Sequence, residues 1–208
     1  MLEIGVIVGS TRPGRNAQAV AEWVLEGASE VGNATYRMID IAAFDLPLLD
    51  EPLGARAVAS MKMEYAQEHT KHWASAIDAL DAFVFVTPEY NFGPPASLKN
   101  AMDYLYPEWG DKAASFVSYG VSGGARAVAQ LRQICAELQL YCVRDSVEFS
   151  LSSDFEGFTT FAPKPEAAEG LGTMVHQLER LANALRFMRT DATRAATNGL
   201  DSFDQMHT

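Results

Sequence analysis

Cysteine is scarce in this 208-residue chain, with two residues, Cys135 and Cys142. Their spacing is neither a CxxC motif nor a zinc pattern, so we read both as buried structural thiols in a reducing cytoplasm. Long apolar runs are missing too: none approaches the roughly 20 residues that a membrane helix needs. No basic stretch precedes the apolar segment that starts at Leu2, which leaves no secretory signal to read and makes a cytoplasmic location the expectation. Basic residues are a third shortage. Sixteen Lys and Arg stand against 27 Asp and Glu, a formal net charge of -11. Such a surface repels nucleic-acid phosphates and anionic lipid, so neither nucleic acid nor membrane is an expected partner. Histidine occurs four times. His69 and His72 fall one helical turn apart, but without a carboxylate partner they read as solvated side chains rather than metal ligands.

What is present is an alternation of strand and helix patterns. Leu2–Val8, Ala82–Val86 and Ala113–Tyr119 are continuous apolar runs, the signature of strands buried on both faces. Thr35–Asp40 alternates and suits a strand toward one edge. A last strand lies within Leu140–Phe149. Ala17, Val20, Ala21, Val24 and Ala28 recur at helical spacing. So do Leu98, Ala101, Met102 and Leu105, then Val128, Leu131, Cys135 and Leu138, and finally Leu171, Met174, Val175, Leu178, Ala182 and Leu185. Repeated β-α units predict an α/β three-layer sandwich, a five-stranded parallel sheet with helices on both faces. The flavodoxin-like strand order 2-1-3-4-5 fits best and would put a ligand at the carboxyl ends of strands one, three and four. The length suits one domain with a well-buried core, taken as residues 1–189. Residues 190–208 read as a polar tail that frays.

Three strand-to-helix turns would then share one edge. The first is Val8-Gly9-Ser10-Thr11-Arg12-Pro13-Gly14-Arg15-Asn16, before a helix starting near Ala17. A helix N-terminus offers unpaired N–H groups and partial positive charge. Ser10 and Thr11 can donate hydroxyls, Asn16 an amide, and Arg12 and Arg15 can neutralise a phosphate, their planar forks matching two oxygens. We therefore read this turn as a phosphate seat. The spacing approaches GxxxxGK[ST], but Arg15 and Asn16 replace the lysine and the hydroxyl, which argues against an ATPase. GxGxxG is absent, and no cysteine stands here to act as a phosphatase nucleophile.

The second turn, Thr87-Pro88-Glu89-Tyr90-Asn91-Phe92-Gly93-Pro94-Pro95, carries aromatics that can wall a planar heterocycle. The competing reading of Tyr90 and Phe92 is ordinary core packing, and that of Glu89 a solvated carboxylate. The third, Tyr119-Gly120-Val121-Ser122-Gly123-Gly124-Ala125-Arg126, lets backbone approach a ring closely, with the positive end of the following helix behind it.

Together the turns resemble the NADPH-dependent FMN reductase family, whose fold is flavodoxin-like. The sharpest match is Thr87-Pro88-Glu89-Tyr90-Asn91 followed by Ser97-Leu98-Lys99-Asn100-Ala101-Met102-Asp103, supported by Gly9-Ser10-x-Arg12 and by Gly123-Gly124-Ala125-Arg126-Ala127. The resemblance covers about Leu2 to Val147. It implies FMN as cofactor and NAD(P)H as co-substrate. Ser10, Arg12 and Asn16 would hold the phosphate, with Thr11, Arg15 and Ala17 counted in the same seat. Pro88, Glu89, Tyr90, Asn91 and Phe92 would line the isoalloxazine, and Ser122, Gly123 and Gly124 its pyrimidine end. The chain differs from many members in having Arg15 where serine is frequent.

By the same resemblance the flavin carries the chemistry and no side chain is expected to be catalytic. Two electrons would pass from NAD(P)H to a flavin, quinone, azo, nitro or metal-oxyanion acceptor in ping-pong fashion. The alternatives are a flavodoxin-like electron carrier and an FMN-binding redox regulatory module. A homodimer or homotetramer is expected. The aromatic cluster Tyr104, Tyr106, Pro107 and Trp109 could pack across a two-fold axis, or it could cover its own core.

Overall fold

The computed structural model describes the backbone of residues 1–205 and the side chains of residues 1–190. Five parallel positions make up the main sheet. Strand β1 is Glu3–Val8, β2 is Thr35–Asp40, β3 is Ala82–Pro88 and β4 is Lys112–Gly120. The fifth position is shared by two short strands, β5 (Leu140–Cys142) and β6 (Val147–Ser150), both parallel to β4. The order is β2-β1-β3-β4-β5, with β6 beside the second half of β4. This is the expected order, refined at one place: the segment read as one last strand is two.

The helices are α1 (Ala17–Val31), α2 (Ala55–Ser60), α3 (Glu68–Asp78), α4 (Ala96–Asp103), α5 (Ala125–Glu137) and α6 (Ala167–Gln205). The polar tail expected at 190–208 lies, from residue 191 onward, outside the residues whose side chains are described. A hairpin of β7 (Phe155–Glu156) and β8 (Thr160–Phe161) follows β6. It falls in a stretch that the sequence pattern shows only as a polar loop.

The strand patterns explain the layering. All seven residues of β3 and all nine of β4 are buried, as continuous apolar runs demand of central strands. Successive side chains in β3 part to opposite faces. Val84 and Val86 join α1 and α6 around Val24 and Leu178, while Phe83 and Phe85 join α3, α4 and α5 around Trp73 and Leu131. Tyr104 and Trp109 belong to this second core and are fully buried. Of the two readings of that aromatic cluster, these two rings follow the second: they cover the chain's own core.

Parallel pairing brings the carboxyl ends of β1, β3 and β4 to one edge. Backbone hydrogen bonds continue past the strands there: Gly9 N–H donates to Val86 O at 2.9 Å and Glu89 N–H to Tyr119 O at 3.0 Å. The three turns are thus laced to one another before any side chain is considered.

Candidate functional site

The first turn starts at Gly9. A Cβ there would stand 2.9 Å from Val86 O and 3.0 Å from Leu98 Cδ2, so only glycine lets the turn lie this close to β3. Ser10 is completely buried, its hydroxyl 3.0 Å from that of Tyr90. Asn16 is the N-cap of α1 but makes no side-chain cap. Its amide instead donates to Phe158 O at 3.3 Å. The first N–H groups of α1 are therefore left without the usual side-chain acceptor. The arginines differ. Arg15 is ion-paired with Asp40, the last residue of β2. Arg12 is exposed and has no carboxylate partner among the described residues.

The turn after β3 reverses tightly. Tyr90 and Gly93 exchange two backbone hydrogen bonds, at 2.9 and 3.1 Å. Asn91 and Phe92 between them take left-handed φ values of 49° and 77°, an unfavourable conformation for an aromatic residue. Tyr90 is 36% and Phe92 61% exposed. Core packing of these rings is thereby overturned: the turn holds them outward. Glu89 is not solvated either. Its side chain is 6% exposed and ion-paired with Arg126, and it accepts from the Arg126 N–H at 3.1 Å. The Arg126 guanidinium carbon lies 4.1 Å from the centre of the Phe92 ring, a cation–π contact. One arginine thus neutralises the buried carboxylate and supports the exposed ring.

In the third turn Gly123 and Gly124 have φ of +72° and +87°. A Cβ at Gly124 would come 2.7 Å from Ser118 Cβ. The Ser118 hydroxyl donates to Gly123 O at 2.7 Å, which fixes the turn over the end of β4. Gly124 is the N-cap of α5 and has no side chain to cap it; the Glu89 carboxylate accepts from the Arg126 N–H in its first turn instead.

These turns border an open cleft of about 100 Å³. Of the residues expected from sequence, Arg12, Arg15, Asn16, Pro88, Glu89 and Tyr90 line it together. The others are not in its lining: Thr11, Asn91, Phe92 and Ser122 are exposed, and Ser10, Ala17, Gly123 and Gly124 are buried. Four lining residues were missed, Tyr119, Gly120, Leu151 and Phe158. The first two close β4 and could have been found from their place at the strand end. Leu151 and Phe158 arrive from the segment after β6, through Leu151 N–H to Gly120 O at 3.0 Å and the Asn16–Phe158 bond, and no local pattern marks them. Burial, then the neighbouring Tyr90, pushes the Tyr119 hydroxyl well above its ordinary pKa, so it remains a neutral hydroxyl at the base of the cleft.

The histidine pair is divided between two neighbours. His69 Nε2 lies 2.9 Å from Asp50 Oδ1, and His72 packs on Phe44 with ring centres 5.0 Å apart.

Comparison with known proteins gives four findings. The model of a family described as NADPH-dependent FMN reductase matches residues 2–154. An NAD(P)H-dependent FMN reductase of Schizosaccharomyces pombe is 42% identical over 139 residues, 66% of this chain and 68% of the relative. A quinone reductase of Pseudomonas putida is 32% identical over 148 residues, 68% of this chain and 73% of the relative. Among solved structures, a flavoenzyme NAD(P)H:(acceptor) oxidoreductase of Paracoccus denitrificans superposes with a TM-score of 0.64 over 89% of this chain and 98% of that one. At 19% identity the last likeness speaks for the fold alone.

Proposed function

The chain belongs to the NADPH-dependent FMN reductase family, and from that premise we propose that it is an FMN-containing oxidoreductase that passes electrons from NAD(P)H to a flavin or quinone. The observation that carries this reading is the joining, in one cleft, of an uncapped helix end and an unpaired arginine with an outward-facing aromatic turn. Those parts answer to a phosphate at one end of a ligand and a flat ring at the other.

FMN bound here supplies a two-electron carrier that no side chain of the chain provides. The N–H groups at the start of α1 would donate to phosphate oxygens, and Arg12 would offer its charge to the same group. Asn16, tied to Phe158 O, closes this end of the cleft. Tyr90, with its hydroxyl against Ser10, presents a ring edge to the flat portion. Glu89 brings no net charge to that wall, because Arg126 neutralises it. Gly123 and Gly124, at the start of α5 where Glu89 already accepts from the Arg126 N–H, would let backbone approach the near edge of the ring. Leu151 adds an apolar side that excludes water.

One mouth serves both NAD(P)H and the acceptor, so the two bind in turn and the kinetics are ping-pong. Azo, nitro and metal-oxyanion acceptors remain within the same reading. A cytoplasmic setting is part of it; among the described residues no helix is long and apolar enough to cross a membrane. A homodimer or homotetramer is proposed as well, supported by exposed apolar side chains such as Leu48, Met61 and Met63 rather than by the buried Trp109. Light scattering that returns a monomer removes that part. The test of the whole is anaerobic mixing of the FMN-loaded protein with NADPH. Loss of the flavin absorbance within seconds is expected, and a spectrum that does not change overturns the assignment.

A further inference from the structure

The hairpin of β7 and β8 follows the stretch that matches the family, which ends at residue 154, yet it brings a ring to the cleft. Its base is firmly anchored. Ala162 N–H donates to Asp154 O and Asp154 N–H to Ser150 O, both at 2.9 Å. The Phe155 ring centre lies 5.8 Å from that of Tyr119 in β4. Phe161 packs edge-on against Phe149 of β6 at 4.9 Å and against Trp23 of α1 at 6.1 Å. The tip is Gly157-Phe158. Both residues take left-handed φ, +58° and +63°, and Thr159 N–H closes the turn on Glu156 O at 3.2 Å. That backbone is unfavourable for an aromatic residue, and burial does not offset it, because Phe158 is 65% exposed. Residues held in such a conformation gather at ligand clamps.

The place of the tip is specific. Phe158 O accepts from the side-chain amide of Asn16 at 3.3 Å, and Asn16 is the N-cap of α1. Phe158 therefore lines the cleft where Asn16, Arg12 and Arg15 do, at the seat assigned to the phosphate. Arg15 is bound back to Asp40 at the end of β2. The seat is thus walled by an ion pair from the β2 side and by the hairpin tip from the β6 side, with about 100 Å³ open in the cleft as a whole. A ligand that ends in a phosphate can stop at this wall. A ligand that continues beyond its phosphate has to carry the next group through the space that the Phe158 ring holds.

We propose that Phe158 is a specificity-determining residue that admits FMN and rejects FAD, in which the same phosphate carries an adenylate. This rests on the FMN reading above. The ring works by exclusion: FAD has to push the tip away from Asn16 and forfeit the bond between them, whereas FMN leaves both in place. Such selectivity comes from a clash with the wrong ligand and not from added attraction to the right one.

The experiment titrates the full chain, freed of flavin, with FMN and with FAD in a calorimeter. Phe158→Gly removes the ring, and glycine readily takes a φ of +63°, so the turn and the carbonyl bonded to Asn16 are kept. Phe158→Tyr keeps the ring. The parent is expected to bind FMN at least about 10-fold more tightly than FAD, and Phe158→Gly to narrow that ratio about 10-fold through tighter FAD binding. Phe158→Tyr should keep the parent's ratio. Equal affinities in the parent overturn the proposal. So does a parental ratio in Phe158→Gly, or a narrowing that comes from weaker FMN binding alone. Those outcomes leave FMN bound and its assignment intact, whereas a parent that binds neither flavin overturns the FMN reading and this proposal with it.

Discussion

The hydroxyls of Ser10 and Tyr90 lie 3.0 Å apart although eighty residues separate them. Ser10 is buried at the floor of the first turn and Tyr90 is the inner ring of the second, so this contact joins the two ends of the cleft. Tyr90→Phe keeps the ring and leaves the Ser10 hydroxyl without its partner. A net hydrogen bond contributes about 1 kcal/mol, so FMN affinity should fall about 3- to 10-fold, read by flavin fluorescence titration. Equal dissociation constants would mean that the contact does not organise the cleft.

Arg12→Ala should separate the two ends of the ligand. A charge-assisted hydrogen bond contributes about 1.5–3 kcal/mol, which corresponds to roughly 10- to 100-fold weaker FMN binding. Riboflavin, which has no phosphate, should bind the variant and the parent alike. Calorimetric titration with both compounds makes the comparison. An equal loss for riboflavin would move Arg12 away from the phosphate.

Arg15 is held by Asp40 and so offers less charge to the seat than its position suggests. Asp40→Asn releases it. FMN affinity is expected to rise a few-fold and to become more sensitive to salt, whereas Arg15→Ala alone should change affinity far less than Arg12→Ala. An unchanged or weaker affinity in Asp40→Asn would show that the ion pair shapes the turn instead of competing for the phosphate.

Gly124→Ala combines a left-handed φ of +87° with a Cβ 2.7 Å from Ser118 Cβ. It should cost about 2–4 kcal/mol from strain and overlap together, a fall in melting temperature of several degrees for a chain of this size. Gly14→Ala is the control: φ is +68°, but nothing lies within 4 Å, so only the backbone penalty of about 1 kcal/mol applies. Similar losses in both would remove the argument from overlap.

Lys112 opens β4 from a buried position, with its ammonium donating to Ile77 O and Asp78 O, both at 3.0 Å. Burial pushes its pKa down from 10.5 to about 8. The folded chain then binds this proton less tightly than the unfolded one, so stability from this group rises with pH across that window and is lost as pH falls through the folded value. The slope is at most about 1.4 kcal/mol per pH unit. The melting temperature of the parent minus that of Lys112→Met should grow in the parent's favour from neutral pH to about pH 10. A flat difference would mean that Lys112 keeps an ordinary pKa.

The architecture was readable because its central strands carry an uninterrupted signal. Val84, Phe85 and Val86 are apolar on both faces of the sheet, and such a run has one comfortable place in an α/β protein. The turns were readable for a related reason: Gly9 and Gly124 stand where only a missing side chain fits. Contacts between distant segments were not. Nothing near Arg15 announces Asp40, nothing near Asn16 announces Phe158, and the burial of Glu89 depends on an arginine 37 positions later. Tyr104 and Trp109 were ambiguous for the opposite reason. A cluster of rings looks the same in sequence whether it faces a partner or its own core, and these are fully buried.

The outer border of the sheet is made in two instalments. β5 runs alongside β4 as far as Ala114, pairing resumes at Val117, and the outer chain spends two more residues than β4 in between. The break keeps Cys142 and Leu151 on separately anchored lengths of chain. A shift of one length has no unbroken ladder by which to tug on the other, so the remote border can move while the cleft end keeps its shape.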